Sequence, residues 1–444
     1  MRHPAPAPPT RLGLAVLLAA ALAACAPTRP DAAPPPTAER GGAEAAPSAE
    51  HALVLVSIDG FRWDYLDRDD VEAPTLRRLA AEGVRAERLV PVYPSKTFPN
   101  HYSLVTGLHP EAHGIVNNTM HDAAVPDSAG GAGRFALSDR AAVADARWWG
   151  GEPIWVTAER QGVRAGTVFW PGSEAAIGGV RPSDWLVYDG DLPYAARVDS
   201  ALAWTGRPAP RRDRFVTLYF EGVDTAGHRF GPDAPETAAA IEEADAALAR
   251  LVAGLEARGA LDQTDLVVVS DHGMTALAPD RVVVLDDVVD LETEVEEVVW
   301  GEAAGVWPAA GVDVDALVAR VDAVPHVRAY RREAAPERLR YRANPRIPPV
   351  VIVPDEGWTV SSREYVERYP DRPSGGGHGY DNELADMGAL FVARGPSFAR
   401  GVTVAPFSAV DVYDVLAEAL GIRPAPNSGD PAVADRVLRT PAER

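Results

Sequence analysis

One cysteine, Cys25, and one lysine, Lys96, are all that a chain of 444 residues contains of either type. A single thiol excludes an intrachain disulfide and any metal site built on several thiolates. The folded part must therefore be held by its core, helped by any ion that oxygen and nitrogen ligands can bind. Positive charge is scarce too: 43 Lys and Arg against 64 Asp and Glu leave a formal net charge of -21. That balance argues against nucleic-acid backbones and anionic membrane surfaces as partners held by bulk electrostatics, so an anionic small molecule would have to be attracted locally. Apolar residues, at 46%, are enough for one large core or two moderate ones.

The N-terminus reads as an address. Arg2, His3 and Arg11 precede an apolar run from Leu12 to Ala21 that is too short to span a bilayer stably, and Leu22-Ala23-Ala24-Cys25 follows. The stretch resembles the lipobox of bacterial lipoproteins. The resemblance implies cleavage before Cys25, lipidation of its thiol and export, with Ala26 favouring the outer membrane, facing the periplasm; an ordinary cleaved signal peptide is the alternative. We read residues 1–25 as a lipoprotein signal peptide and 26–50, rich in Pro, Ala and charge, as a disordered tether. We expect residues 51–425 to form the folded domain that carries any activity and 426–444 a C-terminal tail.

The folded part opens with Ala52 to Gly60, a continuous apolar run that ends on Asp59 in a turn, as a strand buried on both faces would. Arg164 to Trp170, Arg214 to Phe220, Asp265 to Ser270 and Gly388 to Gly395 read as further strands. Pro74 to Ala86, Pro153 to Gly162, Pro193 to Gly206, Pro235 to Gly259 and Pro406 to Gly421 read as helices. This alternation predicts an α/β fold: a doubly wound, mostly parallel sheet with helices on both faces. Residues 281–372, irregular and acidic, break the rhythm and read as a small inserted α+β subdomain. The stretch leading up to about Arg147, full of Gly, Ala and Asp, reads as a loop.

Polar residues gather where the strands end. Asp59, Asp224, His228, Asp271, His272 and His378 are three carboxylates and three imidazoles, a donor set that suits zinc in a hydrolytic site. Each is ordinary alone: Asp59 fits a turn, and a histidine among glycines fits a loop. Thr97 lies between Lys96 and Phe98-Pro99-Asn100, which predicts that it stands just ahead of a helix starting near Asn100, with Asn100 as N-cap. A hydroxyl there would lie beside free backbone N–H groups, where an anion binds. Threonine is a poor nucleophile unless a base or a metal activates it.

The segments IDGFRWDYL, KTFPNHYSLVTGLHPEAHGIVNN, FWPGSE, YFEGVDTAGHRFGP, VSDHGM and GGHGYDN resemble the nucleotide pyrophosphatase/phosphodiesterase family of the alkaline phosphatase superfamily, in that family's order from about Leu53 to Asp381. The resemblance implies two Zn²⁺ ions. One would be held by Asp59, Asp271 and His272 with the Thr97 oxygen, the other by Asp224, His228 and His378. It also implies attack by Thr97 on phosphorus, a phospho-threonine intermediate, and Asn118, in preference to the adjacent Asn117, holding a phosphoryl oxygen.

For substrate, the resemblance assigns Phe98 and Tyr188 to sandwich a nucleobase, with Trp170, Pro171 and Glu174 lining the same pocket; Lys96 is expected near the substrate. Nucleotide phosphodiesters and pyrophosphates, releasing nucleoside 5′-monophosphates, are the first expectation, with no specific nucleic-acid partner and contact with a membrane only through the lipid anchor. Lipid-headgroup diesters of the choline type, phosphate monoesters, and a non-catalytic surface binding role are the alternatives. His101, His109, His113 and His121 are assigned structural roles, since the ligand set is complete without them.

Overall fold

Leu53, Val54, Leu55 and Val56 are completely buried, so the apolar run at the head of the folded chain becomes an inner strand covered on both faces. A computed structural model describes residues 51–126 and 131–439. Eight strands lie side by side in the order Val402–Val404, Val84–Ala86, Phe391–Arg394, Thr264–Val269, Ala52–Ile58, Phe215–Phe220, Ala165–Val168 and Asp184–Leu186. Ala52–Ile58 is parallel to both neighbours, with Val54 beside Val216 on one side and Leu266 on the other. Phe391–Arg394 runs antiparallel to both of its own neighbours.

Successive residues of a strand face opposite sides, and each side has its own core. Leu53 and Leu55 pack with Trp155, Tyr413 and Leu416, from the helices Ile154–Arg160 and Val412–Leu420. Val54, Val56 and Ile58 pack with Leu76, Val198, Ile241 and Leu248, from the helices Pro74–Glu82, Tyr194–Thr205 and Pro235–Ala257. The α/β expectation thus holds, and its consequence is positional. Asp59 follows Ala52–Ile58, Glu221 follows Phe215–Phe220 and Asp271 closely follows Thr264–Val269, so three carboxylates from adjacent strands meet at one edge of the sheet. Open α/β sheets bind ligands at that carboxyl edge.

Residues 282–361 contain a second sheet, antiparallel throughout, ordered Val295–Val299, Ala304–Pro308, Val350–Pro354 and Val327–Arg331. The helix Val314–Asp322 covers it, and Leu285, Val306, Leu317, Val321 and Ile352 form its core.

Three stretches differ from expectation. Val84–Ala86, read as the end of the helix that starts at Pro74, is a strand of the main sheet, because the helix stops at Glu82 before Gly83. The presumed loop before Arg147 contains an antiparallel hairpin, Thr119–Pro126 with Ala132–Ala136, and a helix, Arg140–Ala144, capped by the Asp139 side chain. Its Gly- and Ala-rich composition hides the two-residue period that would have announced the strands. Within the expected C-terminal tail, Ala432–Val437 is a helix that buries Val433, Ala434 and Val437 against the core. The leader, Cys25 and the tether lie outside the described residues. Among the described residues, no helix is long and apolar enough to cross a membrane.

Candidate active site

The first cluster sits at the ends of two adjacent parallel strands. His272 Nε2 stands 2.9 Å from Asp271 Oδ2 and 3.6 Å from Asp59 Oδ1, and all three side chains are buried. The other ring nitrogen, Nδ1, donates to the Gly273 carbonyl at 2.9 Å, which turns the Nε2 lone pair toward the carboxylates. Tyr219 donates its hydroxyl to Asp59 Oδ2 at 2.5 Å, and the Gly60 N–H donates to Asp271 Oδ1 at 3.1 Å. One oxygen of each carboxylate is thereby fixed by protein, while Asp59 Oδ1 and Asp271 Oδ2 are buried without a hydrogen-bond partner.

The second cluster is built from the helix Gly222–Phe230 and the Gly-rich loop at His378. Asp224 Oδ1 lies 3.4 Å from His228 Nε2 and 3.6 Å from His378 Nε2. His228 Nδ1 donates to the Gly376 carbonyl at 2.9 Å and His378 Nδ1 to the Ser95 carbonyl at 2.7 Å. Both Nε2 atoms therefore present lone pairs, only 3.1 Å apart, beside a carboxylate oxygen that also lacks a partner. The His272 and His378 rings stack with centroids 3.6 Å apart, which brings the two clusters together. Gly60, at φ +67°, permits this: a Cβ there would come within 2.9 Å of the Asp224 backbone.

Each cluster offers one ligand atom per residue, all within 4.8 Å of one another. Burial and the neighbouring Asp271 and Asp224 carboxylates push the Asp59 carboxyl well above the usual carboxylate range. Burial, with His272, Lys96 and His228 nearby, pushes His378 well below its ordinary value, so it is neutral as a metal ligand must be. Unpaired buried oxygens, opposed lone pairs and crowded carboxylates are what divalent cations would satisfy. The donor set, oxygen and nitrogen without sulfur, fits zinc.

Thr97 lies beside the first cluster, its hydroxyl 3.5 Å from His272 Nε2. It is the first residue of the helix Thr97–Thr106, with Lys96 at the N-cap, so the helix begins three residues before Asn100. Pro99 is accommodated because it sits in the first turn, where backbone N–H groups have no partner within the helix. Asn100 is no cap. Its buried amide clamps the chain before the helix, accepting from the Val92 N–H at 2.7 Å and donating to the Val92, Pro94 and Lys96 carbonyls. Asn118 Oδ1 accepts the Phe98 N–H at 3.0 Å, which leaves the Asn118 –NH₂ as a donor close to Thr97.

A cavity of about 250 Å³ opens over this arrangement, lined by Asp59, Thr97 and Asp224 together with Phe98, Trp170, Pro171, Glu174 and Tyr188. Five of the six expected substrate-binding residues are thus on one surface with the candidate nucleophile. Lys96 is the exception: its ammonium does not line the cavity but pairs with Glu302 at 2.9 Å. Burial works against the Glu302 carboxylate, and the Lys96 charge and hydrogen bond outweigh it, holding its pKa below the ordinary value.

The description "Type I phosphodiesterase / nucleotide pyrophosphatase" fits residues 53–381. The chain belongs to that family. It is 37% identical over 400 residues to the venom phosphodiesterase of Naja atra, covering 88% of this chain and 46% of the relative. It is 34% identical over 400 residues to ectonucleotide pyrophosphatase/phosphodiesterase family member 3 of Bos taurus, covering 88% and 44%. The chain thus spans under half the length of these curated relatives. Murine ectonucleotide pyrophosphatase/phosphodiesterase 5 superposes with a TM-score of 0.79 at 33% identity, over 88% of this chain and 100% of that one. Its inactive threonine-to-alanine variant, in complex with AMP, superposes with a TM-score of 0.78, at 33% identity over 87% and 100%.

The cavity of this family member also contains residues that sequence reasoning passed over. Tyr219 fixes Asp59, and Glu221 is gripped from beneath by Arg197, a buried guanidinium bonded to both Glu221 oxygens at 2.5 and 2.9 Å. Arg140, from the unexpected helix, pairs with Glu174 and lies over the Tyr188 ring at 5.9 Å. Glu221 was visible in YFEGVD, one residue past a strand; Arg140 carried no local signal. Of the other histidines, His101 bridges the Thr97 carbonyl at 2.9 Å, Ser57 at 2.8 Å and Asp271 at 3.3 Å. His113 is bonded to Ser103, and burial lowers its pKa to about 3. His121 faces Glu297, and burial lowers His109.

Proposed function

We propose that the protein is a two-zinc phosphodiesterase that cleaves nucleotide phosphodiester or pyrophosphate bonds and releases nucleoside 5′-monophosphates through a phospho-threonine intermediate. The observation that carries this reading is the position of Thr97, at a helix N-terminus, between the Asp59–Asp271–His272 cluster and a cavity walled by Phe98 and Tyr188. The names of the venom phosphodiesterase and the ectonucleotide pyrophosphatases, and the AMP complex of a structural relative, support the substrate class. Asp59, Asp271 and His272 would hold one ion, Asp224, His228 and His378 the other. Bound there, zinc supplies Lewis acidity that lowers the pKa of an alcohol and neutralises phosphoryl oxygens.

The chain's own residues do the rest. Thr97 Oγ attacks phosphorus as the bond to the leaving oxygen breaks, and water then hydrolyses the phosphorylated threonine. The Asn118 amide and the helix N-terminus hold a phosphoryl oxygen, positive partial charge aimed where negative charge grows. Phe98 and Tyr188 stack on a planar base, which tolerates any base. The commitment of the single lysine to Glu302 favours a diester over a monoester, because no ammonium faces the cavity to meet a phosphomonoester dianion. Export with a lipidated Cys25, which rests on the leader sequence, completes the proposal; Cys25→Ser should release the protein from membranes.

The experiment is a panel of substrates with zinc-loaded protein: the p-nitrophenyl ester of a nucleoside 5′-monophosphate, a choline glycerophosphodiester and a phosphate monoester. The nucleotide ester should turn over fastest. A faster monoester, or no hydrolysis of any of the three, would sink the reading.

A further inference from the structure

The chain's one lysine stands next to the candidate nucleophile and turns away from the cavity. Lys96 is the N-cap of Thr97–Thr106, and its side chain, only 16% exposed, runs over the loop that carries His378. Gly379, at φ +121°, makes the room, since a Cβ there would collide with Lys96 Cε. At the far end the ammonium donates to Glu302 Oε2 at 2.9 Å, and Glu302 Oε1 accepts the Thr359 hydroxyl at 3.1 Å. Glu302 and Thr359 both belong to the inserted region. Glu302 lies in the turn between Val295–Val299 and Ala304–Pro308, and Gly301 beside it exchanges two backbone hydrogen bonds with Val360, at 3.0 and 3.2 Å. The residue before the lysine is tied as well. Ser95 donates its hydroxyl to the Tyr380 carbonyl at 2.9 Å, and its own carbonyl accepts from His378 Nδ1 at 2.7 Å.

An ion pair this enclosed adds little net stability, because desolvating two charges offsets most of their attraction, yet breaking it on one side is costly. It fixes a geometry more than it strengthens a fold. The geometry in question is that of Thr97. Residue 96, extended at φ -117° and ψ 153°, leads the chain into the helix whose first residue carries the hydroxyl beside His272. We propose that Lys96 is a positioning residue, and that the inserted subdomain, through Glu302, holds Thr97 in place against the metal-ligand clusters. This rests on the reading of Thr97 as nucleophile and deepens it, because it makes residues 282–361 part of the apparatus that aims the attack. Direct attraction of phosphate is the other use for an ammonium so near. Glu302 opposes that use by neutralising the charge, and the two roles predict opposite effects when Glu302 is removed.

The test uses the zinc-loaded full chain and the p-nitrophenyl ester of a nucleoside 5′-monophosphate. Lys96→Met keeps the stem over Gly379 and removes the charge; Glu302→Gln keeps the shape and removes the partner charge. Each should lower kcat about 10- to 100-fold, the scale of a reacting group misplaced by up to ~1 Å, with KM changed by less than about twofold. The double variant should be no slower than the slower single variant, because both break the same link. Losses that multiply in the double variant overturn the proposal. So does a Glu302→Gln enzyme faster than wild type, on this ester or on a phosphate monoester, since a freed ammonium would then be serving the phosphate itself. Hydrogen exchange decides the matter without turnover. In metal-free protein both single variants should speed amide exchange of residues 95–101 about tenfold and leave the strand Ala52–Ile58 unchanged. Unchanged exchange at 95–101, or equal acceleration in both segments, overturns the positioning role. An inactive wild type would instead strike the phosphodiesterase reading and leave the exchange result to stand by itself.

Discussion

The two ligand clusters hold the same number of donors and differ in how they are held. Asp59, Asp271 and His272 are completely or almost completely buried at the ends of adjacent parallel strands, and Tyr219, Gly60 and Gly273 tie down every atom not aimed at the cluster. Asp224, His228 and His378 come from a helix and a glycine-rich loop, and the His228 side chain is 44% exposed. The first is a rigid part of the sheet edge; the second is open to solvent at His228. A site that must hold its nucleophile still while releasing a leaving group needs that asymmetry.

The largest effect should come from the residue on the rigid side. Thr97→Ala should lower turnover by at least ~10³-fold, the scale seen when a nucleophile is removed, while leaving bound zinc unchanged by elemental analysis. Wild-type rates in that variant would end the covalent route. Next come the ligands themselves. Asp271→Asn and His228→Ala should both cost activity, but only Asp271→Asn should abolish binding of its ion even at millimolar zinc. His228→Ala, on the open side, should recover in excess zinc. Equal behaviour of the two variants would erase the distinction between rigid and open clusters.

Much of this contrast was legible before any coordinates, for a physical reason. Asp59, Asp271 and His272 directly follow buried apolar runs, so local sequence announced both the strand and its polar end. His378 comes from a loop 150 residues beyond His228, and only the motif GGHGYDN, not any period, pointed to it. Side chains whose role is set by a distant partner were misread. Asn100 looked like a cap and is a clamp; Lys96 looked like a substrate contact and serves Glu302, more than 200 positions away. Arg140 reaches the cavity from a helix that its Ala-rich surroundings concealed.

A smaller effect isolates the support beneath the rigid cluster. Tyr219→Phe removes only the hydroxyl that donates to Asp59 Oδ2. Loss of a partner to a metal ligand typically costs about 10- to 100-fold in affinity or activity, and the lower end is expected here because the Asp59 carboxylate stays enclosed. A competing chelator titration should show the weakened ion is the one held with Asp271. No change in affinity would mean that strand geometry alone orients Asp59.

The smallest effect concerns stability without metal, and its size separates the clusters. Burial, Asp271 and Asp224 raise the Asp59 pKa in the fold, so the folded state binds more protons here than the unfolded chain does. Asp59 therefore favours folding fully below its unfolded value, near 3.8, and that contribution is lost as pH rises toward and through the raised folded value. In chelated protein at neutral pH, Asp59→Asn should raise the melting temperature by several degrees, since it removes a buried charge yet keeps an oxygen for the Tyr219 hydroxyl. At pH 3, below the unfolded value, the gain should vanish. Asp224→Asn, in the more open cluster, should give a smaller gain at neutral pH, because water already screens part of its charge. If the two substitutions stabilise equally, the clusters share one electrostatic environment and the asymmetry in burial has no energetic consequence.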